Sequence, residues 1–322
     1  MDRNPLYDYV EPSVEVSINA TNALISHIRS LPSPHLVEPV LTPRFALSCT
    51  GPLMTELGKI ASADPSLRIQ THISENEEEV RQTLKLFPEA SSYADVYHRH
   101  GLLGPRTILA HAVHLEEDEI ALLKKQDAGV SHCPTSNFNL RSGICPVGKL
   151  IDHGIKVIDF VLFTGGLLNN LGCRHKVGLG TDVSGGFSPS ILTVIQHASI
   201  ASKVVGMQYP ADPSATTSYT GRQLPLATLL YLATLGGARV CGLEDRIGSF
   251  APGKAFDALV VSVCTDNPGL WGADLDKELQ VKYAESKELE VWLERFLFTG
   301  DDRNIRRVYV QGRWIGGAEL VR

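Results

Sequence analysis

The chain carries six cysteines in 322 residues, at positions 49, 133, 145, 173, 241 and 264, and no two of them form a C-x-x-C pair. That scatter excludes a disulfide framework and a thiolate zinc site, and it suits a reducing, cytoplasmic compartment. Any metal ion must then be held by histidine and carboxylate. Excess charge of either sign is also lacking, with 36 acidic against 30 basic residues and a formal charge of −6. With no long basic run, a nucleic-acid backbone is a poor partner. Long apolar runs are absent too. The most apolar stretch, Ile155 to Leu171, is broken by Lys156, Asp159 and Gly165-Gly166, well short of the ~20 residues that span a bilayer. The amino-terminal MDRNPLYDYVEP has no leader-like apolar core, and no G-x-G-x-x-G follows an early strand, which weakens a dinucleotide-binding reading. What is present is 43% hydrophobic and 20% charged sequence, enough for one large core or one core plus a smaller one.

Five short apolar runs end in polar residues: Val40 to Ser48 (with Arg44 and Phe45), Leu67 to Glu75 (His72, Glu75), Thr107 to Val113 (His111), Gly129 to Pro134 (His132) and Lys176 to Asp182 (Asp182). Successive polar ends lie 28, 39, 21 and 50 residues apart, mostly room for a strand, a crossover helix and a return. Helical periodicity predicts helices over Asn76 to Phe87, with its Glu77-Glu78-Glu79 start, and over Glu116 to Gln126. This β-α alternation suits either a (β/α)8 barrel or a doubly wound sheet. Further helices are expected over Ile191 to Val205 and Leu224 to Leu235. After Gly242 the composition changes, and Ile247 to Val263 and Val308 to Ile315 read as antiparallel strands around a charged helix near Lys277 to Phe298. We therefore divide the chain into a barrel unit, 1–242, and a small β unit with a helix, 243–322. Within the first unit, 158–177 reads as an insert, because its removal leaves the continuous run IKVGLGTD. Its 20 residues, in frame, suggest a retained intron.

A histidine delivered by a strand end, with a carboxylate on the adjoining loop, can set a metal ligand beside a proton carrier. His72 and Glu75 meet that description. Asp182 follows the glycine-flanked G-L-G-T and would project from a strand end. His111 ends a third strand, His114 follows in its loop, and His132 ends a fourth. Taken singly, each is equally read as a rim histidine, a turn residue or a helix cap. Their recurrence at the ends of consecutive β-α units is what points to a shared site.

The ordered motifs T-H-I-S-E, I-L-A-H, S-H-C-P-T-S-N, V-G-L-G-T-D-V-S-G-G, L-A-T-L-G-G-A and I-G-S-F-x-P-G-K-x-F-D-A resemble the amidohydrolase superfamily. Within it, T-P-R-F-A-L-S-C and G-D-D-R-N-I resemble the guanine deaminase family. The resemblance implies an α/β fold, a (β/α)8 TIM barrel of the amidohydrolase type, incomplete, with the remnant of a small β-sandwich at the carboxyl terminus. It implies zinc-dependent hydrolysis of the guanine amino group to give xanthine and ammonia, with one Zn2+ per chain and a homodimer in the complete form. Carried over residue by residue, His72 and Asp182 would ligate zinc and border the substrate. Asp182 would also take the proton of the attacking water, Glu75 would move protons to the ring nitrogen and leaving group, and His111 would hydrogen-bond the water or oxyanion. Arg44 and Phe45 would contact the purine. The family's H-x-H zinc pair, expected before Arg44, has no counterpart there. The tripeptide His98-Arg99-His100 is the chain's one H-x-H and reads as an exposed helix end. Met1 corresponds to an internal stretch of the family's chains, so the first three barrel strands would be missing. On that expectation zinc would be weakly held. A different amidohydrolase acting on another aminated heterocycle, or a non-catalytic interaction remnant, is the alternative.

Overall fold

The computed structural model describes residues 1–3, 9–32, 36–154, 176–209, 211–215, 217–262 and 286–319. Residues 158–175 of the expected insert and 277–285 of the expected charged helix lie outside these. Five strands, β1 (Val40–Leu41), β2 (Arg68–Ile73), β3 (Thr107–His111), β4 (Gly129–His132) and β5 (Val177–Leu179), form one parallel sheet in that spatial order. Sequential order with parallel pairing is what repeated β-α units produce. Among the described residues the sheet does not close, and it ends at β1 and β5. Thr71, Leu109, Val130 and Val177 make one register row across it, all of them buried. This row is the sheet's contribution to the core under the flanking helices.

Those helices follow local signals. Helix Glu77–Leu86 starts at Asn76, whose side-chain oxygen accepts from Glu79 N at 2.9 Å. Glu79 in return accepts from the backbone N–H groups of Asn76 and Glu75, a capping box that also fixes the loop carrying Glu75. Helix Glu117–Lys125 opens with three acids and ends with two lysines, matching its dipole. After β5 come helix Ile191–Gln208, helix Leu226–Tyr231, a single π turn over Leu232–Gly236, and helix Gly237–Val240. Gly178 on β5 faces Gly237 so closely that a Cβ on Gly178 would sit 2.8 Å from the Gly237 Cα. The glycines are the condition for this strand and helix to meet.

Two expected strands are shorter in the structure. Only Val40–Leu41 of the first run pairs, because Pro43 cannot donate to a ladder and the chain turns into a short 3-10 helix, Ala46–Ser48. Of Ile247 to Val263 only Ala258–Val261 is a strand, since Pro252 and the left-handed Gly248 and Gly253 keep the preceding residues in turns. That strand, β6, pairs antiparallel with β7 (Ile305–Val310), which returns as β8 (Arg313–Gly316). The hairpin turn at Gln311-Gly312 has positive φ at both positions, the backbone hand that matches strand twist. Helix Ser286–Thr299 precedes this hairpin.

Helix Val14–Arg29 is tied to the parallel sheet's base by a 2.7 Å ion pair between Arg29 Nη1 and Asp64 Oδ2. Hydrogen bonds from Arg29 and then Ser66 hold the Asp64 carboxyl down at about 2. A depressed carboxyl stabilises the fold above its unfolded pKa of about 4, and loses that contribution as pH falls through about 2. Solvent screening limits the contribution to ~0.5–1 kcal/mol. Denaturant titration of Asp64→Asn should show that deficit at neutral pH, and it should vanish between about pH 4 and 2. A deficit that persists undiminished at pH 2 would contradict the ion-pair origin.

Candidate active site

The carboxyl ends of β2, β3 and β5 converge. Seven described non-glycine residues have left-handed backbone, and four of them, Ser74, His111, Ala112 and Asp182, lie just at these strand ends. Each such residue costs about 1–3 kcal/mol, a strain that persists where the surroundings impose it and that concentrates at functional sites. His111 shows the consequence. Ile73 on β2 pairs with His111, while His72 pairs with Ala110, so regular alternation would send the two histidines to opposite faces. At φ 76° His111 leaves that alternation, and its ring stacks on His72 with centroids 5.0 Å apart and planes 21° from parallel.

Each histidine is oriented by its second nitrogen. His72 Nδ1 donates to the Arg44 carbonyl at 2.6 Å, leaving Nε2 as its free lone pair. His111 Nδ1 lies 2.9 Å from Asn137 Oδ1. Its Nε2 is fully buried and has no hydrogen-bond partner, standing 3.7 Å from Glu75 Oε2 and 3.9 Å from Asp182 Oδ2. Glu75 Oε1 accepts from Ser142 Oγ at 2.9 Å, and the Ser142 carbonyl accepts from His114 Nε2 at 2.7 Å. A Cβ on Gly185 would lie 2.6 Å from Asp182 Oδ2 and 2.7 Å from Ser136 Oγ. A side chain at Gly185 would therefore displace the carboxylate.

One ligand atom from each of His72, His111 and Asp182 lies within 4.8 Å of the others. Two imidazoles and a carboxylate form a donor set suited to a divalent ion of the zinc type. The orphaned Nε2 of a fully buried His111 is the observation that such an ion would account for. Cys133 adjoins the cluster, but burial pushes its thiol up to about 12, so it offers no thiolate at neutral pH.

A protein-family model described as "Amidohydrolase family" matches residues 1–315. The chain belongs to the amidohydrolase family. It is 44% identical over 313 residues to a probable guanine deaminase of Schizosaccharomyces pombe, covering 97% of this chain and 52% of that protein. It is 35% identical over 317 residues to guanine deaminase of Mus musculus, covering 98% and 61%. Among solved structures, E. coli guanine deaminase superposes with a TM-score of 0.76 at 32% identity, over 98% of this chain and 63% of that one. Guanine deaminase from C. acetobutylicum with bound guanine in the active site gives 0.76 at 33% identity, over 98% and 64%. The chain thus spans between half and two thirds of the length of these relatives.

Set in this amidohydrolase frame, the expected residues divide cleanly. His72, Glu75, His111 and Asp182 come together. Arg44 and Phe45 lie on the loop after β1, not in a strand. The Phe45 ring stands edge-on to His72 at 6.1 Å, with the Arg44 guanidinium 5.1 Å from the Phe45 ring centre. His132, expected at the same mouth, is buried with Nδ1 unpartnered. Burial, and then its nearness to His111, pull it down to about 3. It lines a cavity of about 290 Å3 with Cys145, Ala198, Val205 and Leu224. His98-Arg99-His100 is the end of helix Tyr93–Arg99, where His100 Nδ1 donates to the Val96 carbonyl, so no strand delivers it. Ser142 and Asn137 were not singled out from sequence. Asn137 stands inside S-H-C-P-T-S-N, so its motif was visible but its partner was not.

Proposed function

We propose that this chain carries out zinc-dependent hydrolytic deamination of guanine, guanine and water giving xanthine and ammonia. The observation that carries the reading is the meeting of His72, His111, Glu75 and Asp182 beside the Arg44-Phe45 loop. The matched guanine deaminases support it. His72 and Asp182 would hold the zinc, and a bound zinc ion supplies acidity, lowering the pKa of its water from ~15.7 to ~7. Asp182 accepts the proton of the attacking water. Glu75, held on one oxygen by Ser142, keeps the other free to pass protons to the ring nitrogen and the departing amine. His111 turns Nε2 toward the reacting oxygen. The Arg44 guanidinium can fork onto the O6 and N7 acceptors of guanine while Phe45 covers the ring. In this reading residues 1–242 carry the site and 243–322 form an accessory sheet and helix.

Ammonia and xanthine release from guanine, assayed with and without added zinc, tests the reading. Zinc-dependent release is expected. A zinc-loaded chain that releases neither product from guanine would overturn it. Arg44→Ala should raise KM about 10- to 100-fold, from the loss of ~1–3 kcal/mol of purine recognition, while zinc content stays unchanged. Unaltered turnover in that variant would reject the role of Arg44 and favour another aminated heterocycle.

A further inference from the structure

We propose that Ser142, braced by His114, is a positioning residue that decides which oxygen of Glu75 carries the transferred proton. The inference rests on the deaminase reading above and deepens it at the proton carrier.

A carboxyl group has two chemically equivalent oxygens, and its terminal torsion is soft and close to two-fold. Left alone, Glu75 would take up a proton on either oxygen, and one of the two would face away from the reacting centre. One asymmetric hydrogen bond removes the ambiguity. Ser142 Oγ donates to Glu75 Oε1 at 2.9 Å, while Oε2 lies 3.7 Å from His111 Nε2, on the side of the His72, His111 and Asp182 cluster. In the neutral acid the oxygen that accepts from a hydroxyl acts as the carbonyl, so the proton sits on the other one. Every proton that Glu75 passes on therefore enters and leaves at Oε2, and Ser142 keeps its own.

The serine is held from several sides. It is only 7% exposed, so little water competes for its hydroxyl. Its N–H donates to the Asn137 carbonyl at 2.9 Å, and its carbonyl accepts from His114 Nε2 at 2.7 Å. His114 in turn donates its backbone N–H to the Ser74 carbonyl at 3.0 Å. Ser74, His114, Ser142 and Glu75 thus close a ring that ties together the loops after β2 and β3 and the turn after helix Pro134–Asn139. The approach of His114 depends on Gly143, where a Cβ would lie 2.8 Å from Val113 Cγ1 and 3.3 Å from His114 Nε2. On the other side of the serine, Arg141 has φ 57°, a strained backbone that its surroundings impose. His114, which touches no reacting group, gains a role through this ring.

Steady-state kinetics of the zinc-loaded whole chain on guanine test the proposal. Ser142→Ala should lower kcat about 10- to 100-fold, the upper figure being the cost of misplacing a reacting group by about 1 Å, with KM and zinc content within about twofold of wild type. Ser142→Cys keeps the shape of the side chain but donates only weakly, and should show the same loss even where the alanine variant folds poorly. Coupling is the deciding measurement. In a Glu75→Gln background, Ser142→Cys should cost less than about twofold more, because no proton-carrying carboxyl is left to orient. His114→Ala should lower kcat as well, but not further once Ser142→Cys is present. Wild-type kcat in both Ser142 variants, or an equal loss with and without the Glu75 carboxyl, overturns the positioning role while the deaminase reading stands. A His114→Ala loss that adds in full to that of Ser142→Cys overturns the brace. If the zinc-loaded wild type releases no ammonia from guanine, the deaminase reading falls and takes this inference with it.

Discussion

Asp182→Asn should abolish zinc-dependent ammonia release, lowering it at least about 10^3-fold, and should strip the metal as well. The carboxylate is one of three donors whose ligand atoms lie within 4.8 Å of each other. An amide removes the negative charge that a divalent ion needs most in a shell with so few anionic ligands. It also removes the base that would take the water's proton, and general-base catalysis alone is worth about 10^2–10^4-fold. Glu75→Gln provides the contrast. Glu75 stands outside the metal group, bonded to Ser142 and 3.7 Å from His111, so its amide should cost about 10^2–10^4-fold in turnover with zinc content unchanged. Metal analysis alongside initial rates separates the two. Zinc retained in full by Asp182→Asn, or lost by Glu75→Gln, would reverse the assigned roles.

Tyr97→Phe should cost about 3 kcal/mol of stability by denaturant unfolding, a large share of the ~5–15 kcal/mol that holds a typical domain together. Tyr97 is fully buried. Its hydroxyl donates to the His72 carbonyl at 2.7 Å, and accepts from Ala46 N at 3.0 Å and from Thr71 Oγ1 at 2.9 Å. Removing one oxygen therefore leaves a buried donor and a buried acceptor without partners, at about 1–3 kcal/mol each. The same oxygen pins the loop of Arg44 and Phe45 against the end of β2. The variant should accordingly bind guanine more weakly even where enough native protein remains to assay. A loss below about 1 kcal/mol would show that the loop is held by other contacts.

How far the sequence reaches is clear from particular residues. The run Leu67 to Glu75, alternating over Leu67 to Thr71, and the helix expected over Asn76 to Phe87 lie within one or two residues of β2 and the helix that follows it, because both signals are local. The first and sixth strands came out shorter than expected, since Pro43 and the turn glycines before Ala258 override hydrophobic content. Asn137 was invisible as an actor for a different reason: its partner His111 lies 26 residues earlier, and no local pattern reports such a pairing.

The linear order of residues by itself determined the parallel β-α architecture, the strand ends that bear His72, His111 and Asp182, and a metal chemistry of imidazole and carboxylate with no thiolate. Only the folded chain decided that these donors share one centre. Strand alternation would have separated His72 from His111, and it is the left-handed turn of His111 that brings their rings face to face. Which nitrogen each histidine offers was likewise settled by the Arg44 carbonyl and the Asn137 amide, groups that sequence places far away and only close packing brings within 3 Å.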